Sequence, residues 1–144
     1  MKTYKLSSIK KILDGDTIDA IIDLGFDVMV LKRIRLYGID APETRTTDKE
    51  MKTYGNIAKE QLLTWCSKAM IDEKDDIYME IQASDTNDKY GRILGELIFH
   101  EGENTTNINH WMIQNHYAIP FDGTTNKAER TIQHEANWKY YFLV

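Results

Sequence analysis

The sequence predicts an α+β protein, mainly β, in which a five-stranded Greek-key barrel carries three helices. Segments of alternating apolar and polar residues, typical of half-buried strands, fill the first 40 residues and return after residue 76. Three segments with the wider apolar spacing of amphipathic helices lie between and after them. Five strands interrupted by one helix and followed by two more match the small closed barrel known as the OB fold.

The first three strands are expected to form an antiparallel meander, at residues 4–13, 17–23 and 28–37. The turn-favouring stretches 14–16 and 24–27 join them. Residues 44–54 are polar, without apolar periodicity beyond Met51, and are expected to form a mobile surface loop. The last two strands are expected at residues 77–83 and 92–99, with turns at 84–87 and 101–104.

The first helix is expected to begin at Asn56, whose side chain is a typical N-cap, and to end at the acidic residues 72–76. A second helix is expected at residues 107–116, followed by a loop at 117–126. A third is expected at residues 127–141, with an apolar surface supplied by Ala128, Ile132, Ala136 and residues 138–141.

Length and composition indicate one domain, spanning residues 1–144, with enough apolar residues (42%) for a compact core. No apolar run reaches membrane-spanning length, and residues 1–13 lack a signal-peptide core. We therefore expect no membrane partner and a cytoplasmic protein as written, or a secreted one if a leader was removed. The single Cys66 cannot form an internal disulfide, which is weak evidence against an oxidising compartment.

The net charge of −5 argues against a general polyanion binder, whose surface is normally basic. The charge is uneven, however. Residues 1–70 carry 12 Lys and Arg against 10 Asp and Glu, whereas residues 71–144 carry 6 against 13. Any face that binds nucleic acid should therefore lie mostly on the N-terminal half.

The most reactive side chains cluster at residues 33–44. Arginines alternate with apolar residues up to position 37, which predicts a strand with a buried face and a cationic, solvent-facing side. A glycine and a proline then favour a rigid turn that bears Asp40, Ala41 and Glu43. Asp40 and the Ala41 carbonyl can ligate a cation, and Glu43 can act as a general base on a nearby water. The alternative for Glu43 is an ordinary acid at a helix start.

Asp16, beside Gly15 at a strand start, is a further candidate ligand, although Asp-Gly is also one of the commonest turn dipeptides. Hard and flexible oxygen ligands of this kind favour Ca²⁺ over Mg²⁺. The four histidines do not have the spacing of a zinc site and are expected to be surface or packing residues.

Arg35 and Arg92 are candidates for binding phosphate, because a guanidinium holds two oxygens and stays charged. A surface ion pair is the alternative for Arg35, and a solvated strand end is the alternative for Arg92. Tyr90 could line a substrate site or cap the barrel. The three tryptophans fall at helical core spacing and are expected to pack rather than stack on bases.

Taken together, these fragments resemble the signature of the staphylococcal nuclease (thermonuclease) family in order, spacing and residue type. The fragments are Asp14-Gly15-Asp16-Thr17, Arg35 five residues before Asp40, Pro42-Glu43-Thr44 and Asp88-Lys89-Tyr90-Gly91-Arg92. Tyr54-Gly55 before the first helix, Asn109 in the second and Ala118 after it extend the resemblance, which runs from about residue 9 to residue 135.

The resemblance implies a monomeric, Ca²⁺-dependent endonuclease with an OB-type barrel, which hydrolyses phosphodiester bonds of DNA or RNA, with single strands preferred, and leaves 3′-phosphates. By position, Asp16, Asp40 and the Ala41 carbonyl would bind Ca²⁺. Glu43 would activate the attacking water, Arg35 and Arg92 would clamp the phosphate, and Tyr90 would contact the substrate.

The chain departs from the family pattern at several points. Ala41 stands where Thr is common, which is harmless if only its carbonyl ligates. Residues 119–125 lack the tyrosines that contact nucleotide in the family, and Phe121 is their only aromatic residue. The acidic overall charge predicts weaker and strongly salt-sensitive binding. The alternatives are therefore an inactive nuclease-like module that binds nucleic acid or protein, and a plain OB interaction domain.

Overall fold

The computed structural model describes residues 2–71, 75–81 and 92–143. In chain order the elements are β1 (Lys2–Asp14), β2 (Thr17–Asp23), β3 (Met29–Leu36), β4 (Ile39–Asp40), α1 (Lys49–Ile71), β5 (Asp75–Ile81), β6 (Ile93–Glu101), β7 (Asn104–Asn107), α2 (Ile108–Gln114), β8 (Ile119–Pro120), α3 (Lys127–Asn137) and a π-helical turn (Trp138–Phe142). Among these described residues, no helix combines the length and apolarity that crossing a membrane requires.

A closed barrel of five strands forms the body of the fold. The strands follow the order β3-β2-β1-β5-β6, and β3 also pairs in parallel with β6, which closes the barrel. β1 pairs with two strands: residues 2–5 pair with β5, and most of the remaining residues pair with β2. Three register shifts along β1 give the bends that such a long barrel strand needs. The predicted OB-type barrel with three helices is thus confirmed.

The side chain of one buried asparagine stabilises the closure of the barrel. Asn109 of α2 is fully buried, and its side-chain oxygen accepts a hydrogen bond from the Leu97 amide at 3.1 Å. Its Nδ2 donates to the carbonyls of Tyr37 and Gly95, at 2.9 and 3.1 Å. All of these bonds are made in a dry interior, where an unpaired amide would be costly. Asn109 therefore holds α2 against the seam between β3 and β6.

The core lies inside the barrel and continues under α1 and α2. Its largest fully buried side chains include Ile18, Ile34, Leu36, Tyr54, Leu62, Met79, Leu97, Phe99 and Ile108. The tryptophans pack as expected: Trp65 makes edge contacts with Phe99 and Trp111, at centroid distances of 5.5 and 5.3 Å.

The start of α1 differs from the prediction. The helix begins at Lys49, so the second half of the expected loop at 44–54 is helical, and Tyr54 and Gly55 lie within the helix. Asp48 caps this end, because its side chain accepts the backbone N–H groups of Glu50 and Met51. The assignment of Asn56 as the N-cap is therefore wrong.

The face of α3 also differs from the prediction. Ala128, Ile132 and Ala136 are exposed, with Ile132 at 65%, so the prediction that they form its apolar contact surface is wrong. The buried residue of this helix is His134. The sequence analysis also missed the short strands β4, β7 and β8, and Asp40, which it placed in a turn, lies in β4. The predicted turn at 84–87, most of the stretch 88–92 and Tyr90 lie outside the described residues.

Candidate active site

Two turns meet at one end of the barrel, and a glycine makes their approach possible. Gly15 lies between β1 and β2, where a Cβ atom would come within 2.9 Å of the Ala58 Cβ and 3.0 Å of the Ala41 Cβ. Only glycine permits contacts this close. The result is that Asp16 reaches the turn after β4, where its Oδ2 accepts the Ala41 N–H at 2.8 Å.

Arg35 joins the two acids that the sequence analysis assigned to the metal. Its NH1 lies 3.3 Å from Asp16 Oδ2 and its NH2 lies 3.1 Å from Asp40 Oδ1. The side chain of Arg35 is only 11% exposed, and the two acids are similarly buried. The solvent-facing position and the surface ion pair considered for Arg35 are therefore both wrong, because the pairs it makes are buried.

Helix α3 contributes the other partners of Asp40. Arg130 NH1 lies 2.9 Å from Asp40 Oδ1, and His134 Nε2 lies 2.8 Å from Asp40 Oδ2. β8 positions the acid from the other side, since Asp40 pairs with Ile119 across a two-stranded ladder. Both carboxylate oxygens of Asp40 are thus engaged by cationic or N–H groups.

The two acids differ in their electrostatic balance. Burial raises the pKa of Asp16 above its usual value, although the charge of Arg35 partly opposes it. Burial alone would also raise the pKa of Asp40, but the His134 hydrogen bond and the charge of Arg35 outweigh it, and its pKa is lowered. Asp40 is therefore a carboxylate, and the proton in its bond with His134 lies on Nε2. The buried Nδ1 of His134 has no hydrogen-bond partner in the described part of the chain.

Arg130 and His134 are functional-site residues that the sequence analysis missed. They are four positions apart, so both project from one face of α3, and Trp138 continues the same stripe. This spacing of four residues, which ends at an aromatic residue, was the signal in the sequence that could have identified Arg130 and His134. Arg130 is further fixed by its Nε donating to the Thr125 carbonyl at 3.2 Å and by the Phe121 ring at 4.5 Å.

Glu43 lies three residues after Asp40, but it is exposed. Its side chain is 55% exposed and makes one ion pair, with Lys127 at 3.2 Å. It follows Pro42 in a loop, so the alternative of a helix-start acid is wrong. Helix α1 supports this loop closely, because a Cβ on Gly55 would lie 2.4 Å from the Glu43 carbonyl oxygen. Next to it, the Thr44 hydroxyl donates to Asp14 at 2.7 Å and anchors the loop to β1.

Glu43 and Arg92 line one open cleft of about 860 Å³. Its other lining residues are Leu13, Asp14, Thr17, Asp19, Leu31, Lys32, Arg33, Arg45 and Lys127. A smaller pocket of about 180 Å³ shares Glu43 and Lys127 with this cleft and reaches Asp40, Ala41, Arg130 and His134. The structure therefore brings together all the predicted site residues that it describes, on two adjoining cavities or directly beside them.

The donor set fits a hard cation by its chemistry. Asp16 and Asp40 both contact the guanidinium of Arg35, and the Ala41 carbonyl directly follows Asp40 in the chain. These are oxygen donors, which Ca²⁺ and Mg²⁺ accept and soft metals do not favour. Within the described ranges, no group of three or more His, Cys, Asp or Glu side chains is arranged to hold a metal ion. A carbonyl and water would therefore have to complete the coordination.

Comparisons with known proteins place this site in a family. The family model described as staphylococcal nuclease homologue matches residues 33–139, a range that includes every candidate site residue except Asp16. Endonuclease YhcR of Bacillus subtilis (strain 168) is 31% identical over 115 residues, which are 76% of this chain and 8% of YhcR. Protein ParB of Escherichia coli is 34% identical over 89 residues, 60% of this chain and 38% of ParB. The chain thus spans less than half of either relative, and it belongs to the staphylococcal nuclease homologue family.

Proposed function

We propose that this chain is a Ca²⁺-dependent endonuclease that hydrolyses phosphodiester bonds of DNA or RNA and leaves 3′-phosphates. The observation that carries the proposal is the shared cleft, where an exposed carboxylate, Glu43, and a guanidinium, Arg92, adjoin the Asp16–Arg35–Asp40 cluster. Family membership and the endonuclease name of one relative support the same reaction class.

Each residue has a role that its environment permits. Glu43 is solvent-accessible, so it can accept a proton from a water that attacks phosphorus. Arg92 lines the same cleft and can stabilise the added negative charge on the phosphoryl oxygens. Arg35 holds a fixed positive charge between the two acids. Loss of the 5′-oxygen as the leaving group would keep the phosphate on the 3′ side.

Asp16, Asp40 and the Ala41 carbonyl would hold the cation. When bound, Ca²⁺ would offset the charge of the two acids and polarise the phosphate as a Lewis acid. Arg35 and Arg130 already pair with Asp40 in this structure, and His134 bonds to its other oxygen. A cation therefore has to compete with these groups, and we expect its affinity to depend on them.

The test compares single-stranded DNA and RNA as substrates at low salt, with Ca²⁺, Mg²⁺ or EDTA. We expect cleavage that requires Ca²⁺, with end-group analysis showing 3′-phosphates. The Glu43→Gln protein should cleave about 10²- to 10⁴-fold more slowly, because general-base catalysis is worth about that much. Glu60→Gln, which changes an exposed glutamate on α1, is the matched control and should retain full activity.

Two results would contradict the proposal. Equal rates for wild type and Glu43→Gln would remove Glu43 from the mechanism. No cleavage under any metal condition, with nucleic acid still bound, would mean that the chain is an inactive binding module with the nuclease fold.

A further inference from the structure

The β2–β3 hairpin carries an exposed apolar cluster that the proposed reaction does not use. Its members and exposed fractions are Leu24 (46%), Phe26 (101%), Val28 (51%), Met29 (50%) and Leu31 (62%). These five side chains lie on one hairpin, and exposed apolar groups concentrated in this way mark an interaction surface.

The hairpin tip holds Phe26 outward in a defined conformation. Phe26 and Asp27 have φ values of 56° and 61°, in the left-handed region that bulky residues rarely adopt. The turn is closed by the Leu24 amide bonding to the Val28 carbonyl and by the Asp23 side chain bonding to the Gly25 amide, at 2.9 and 2.8 Å. A strained position that presents a fully exposed ring is expected at a binding site rather than at a passive turn.

The apolar cluster is continuous with the catalytic cleft. Leu31 belongs to both, and Lys32 and Arg33 follow it along the cleft wall. Phe26 is five residues from Leu31, which is at most about 17 Å at the rise of a β-strand. A ligand bound in the cleft therefore needs to extend only a short distance along β3 to reach the tip.

The cleft wall beside the hairpin has uncompensated positive charge. Asp19 pairs with Arg33 at 2.8 Å, and Glu43 pairs with Lys127. Lys32 and Arg45 line the same cleft, and neither has an ion-pair partner among the described residues. The cleft wall thus carries two such cations although the chain has a net charge of −5. A second copy of the chain is a poor occupant, because a two-fold contact would place this cationic strip near its own copy.

We propose that the β2–β3 hairpin is an additional subsite for single-stranded nucleic acid, in which Phe26 stacks on a base and Lys32 and Arg45 bind the phosphates that lead into the cleft. Cationic grooves lined with exposed aromatic rings bind single strands in this way, with little dependence on sequence. The proposal rests on the proposed function, since it extends the substrate beyond the bond that is cut.

Binding to the tip is tested with Phe26→Ala and a fluorescein-labelled oligothymidylate of 12 nucleotides, by anisotropy at low salt in EDTA. We expect about fivefold weaker binding or more, because loss of one stacked base has roughly that effect. The matched control is Tyr140→Ala, which removes an 81% exposed ring that lies on neither cavity, and it should bind like wild type.

The phosphate contacts are tested by the salt dependence of the same binding. Lys32→Met and Arg45→Met should each lower the slope of log affinity against log salt by about 0.7, the value for one contact on a single strand. Lys139→Met, an exposed lysine away from the cleft, should leave the slope unchanged.

A third measurement separates this proposal from the proposed function. Phe26→Ala should lower kcat/KM on the 12-mer but not on a dinucleotide, which is too short to reach the tip. If wild type cleaves neither substrate, the nuclease proposal fails, while the anisotropy still decides the subsite. If Phe26→Ala binds and cleaves the 12-mer like wild type, the subsite is refuted. The same holds if its only effect is to dissociate a dimer in sedimentation, since the patch would then be a self-association surface.

Discussion

Asp40 and Glu43 are three residues apart, at the end of β4 and in the loop that follows it, yet their surroundings have little in common. Asp40 is buried, and its two oxygens are held by β3 through Arg35 and by α3 through Arg130 and His134. Glu43 is exposed and pairs with one lysine, Lys127, which is itself 72% exposed. The difference teaches that two acids only three residues apart can serve two separate tasks. Asp40 joins elements of the fold, whereas Glu43 remains free to react with what enters the cleft.

The strongest test of this division is Asp40→Asn. We expect the free energy of unfolding to fall by about 3–5 kcal/mol, because removal of one partner leaves the buried charges of Arg35 and Arg130 less compensated. Urea unfolding measures it. Asp19→Asn breaks a more exposed pair with Arg33 and should lose less than about 1 kcal/mol. Equal losses for the two variants would show that burial of the Asp40 network does not matter for stability.

His134 provides the next largest expected effect. His134→Ala removes the donor to Asp40 Oδ2, and we expect a loss of about 1.5–3 kcal/mol, as for hydrogen bonds to charged groups. His134→Gln restores an N–H donor and should recover part of that loss. Ile132→Ala, on the exposed face of the same helix, should change stability by less than about 0.5 kcal/mol. A larger loss for Ile132→Ala than for His134→Ala would overturn the assigned face of α3.

Gly55→Ala tests whether the close packing of α1 against the loop holds Glu43 in place. The added Cβ would lie 2.4 Å from the Glu43 carbonyl oxygen, so the loop must shift. We expect a loss of about 1–3 kcal/mol, typical of overpacking, together with slower phosphodiester cleavage because Glu43 moves. The adjacent Asn56→Ala should be almost neutral in both assays, because Asn56 is exposed and Asp48 provides the cap. Unchanged cleavage by a correctly folded Gly55→Ala protein would count against this support.

The free energy of unfolding should depend on alkaline pH because of the buried Tyr54. Burial raises the pKa of Tyr54 to about 12, and its hydroxyl donates to the His116 carbonyl. A raised folded-state pKa gives stability that is complete below the unfolded value, about 10, and is lost as pH rises through the folded value. The unfolding free energy should therefore decline between about pH 10 and 12, and less steeply for Tyr54→Phe. Parallel declines for the two proteins would remove Tyr54 as the cause.

Glu43→Gln should show the smallest effect on stability. Glu43 is exposed and has a single solvated partner, so its unfolding free energy should stay within about 0.5 kcal/mol of wild type. This outcome, beside the large loss expected for Asp40→Asn, would separate the two acids most clearly. A loss for Glu43→Gln comparable to that of Asp40→Asn would end the distinction.

The sequence predicted the features of this site that depend on local patterns, but not those that depend on contacts between distant segments. The strand that bears Arg35 follows from local alternation, and the structure has it. Glu43 follows Pro42 in a loop, but Asp40 lies in the short strand β4 and not in the predicted turn. The burial of Arg35 was not predictable from strand parity, because it depends on Asp16 arriving from another turn. The start of α1 was missed because its first turn is polar on most sides, apart from Met51.

The α3 contacts show the same limit more strongly. The apolar residues Ala128, Ile132 and Ala136 suggested a buried face, but the helix docks through polar side chains that satisfy a buried carboxylate. Hydrophobic periodicity cannot detect such a contact, because Arg130 and His134 count as polar residues whether they are buried or exposed. Phe26 was correctly placed in a turn, but its full exposure was not predicted, because exposure at a hairpin tip is not encoded in alternation.

The contacts that close the barrel and surround Asp40 join segments that are distant along the chain. β3 pairs with β6 only after some sixty intervening residues, and the Asp40 bonds to Arg130 and His134 span 90 and 94 residues. Long-range contacts close late in folding, because the entropy of ordering large loops must first be overcome. The β1–β2–β3 meander can thus form early, while the cluster around Asp40 is assembled last, when the C-terminal helix arrives. During synthesis on the ribosome, a chain that has not yet released residue 134 would carry the acids without their partners.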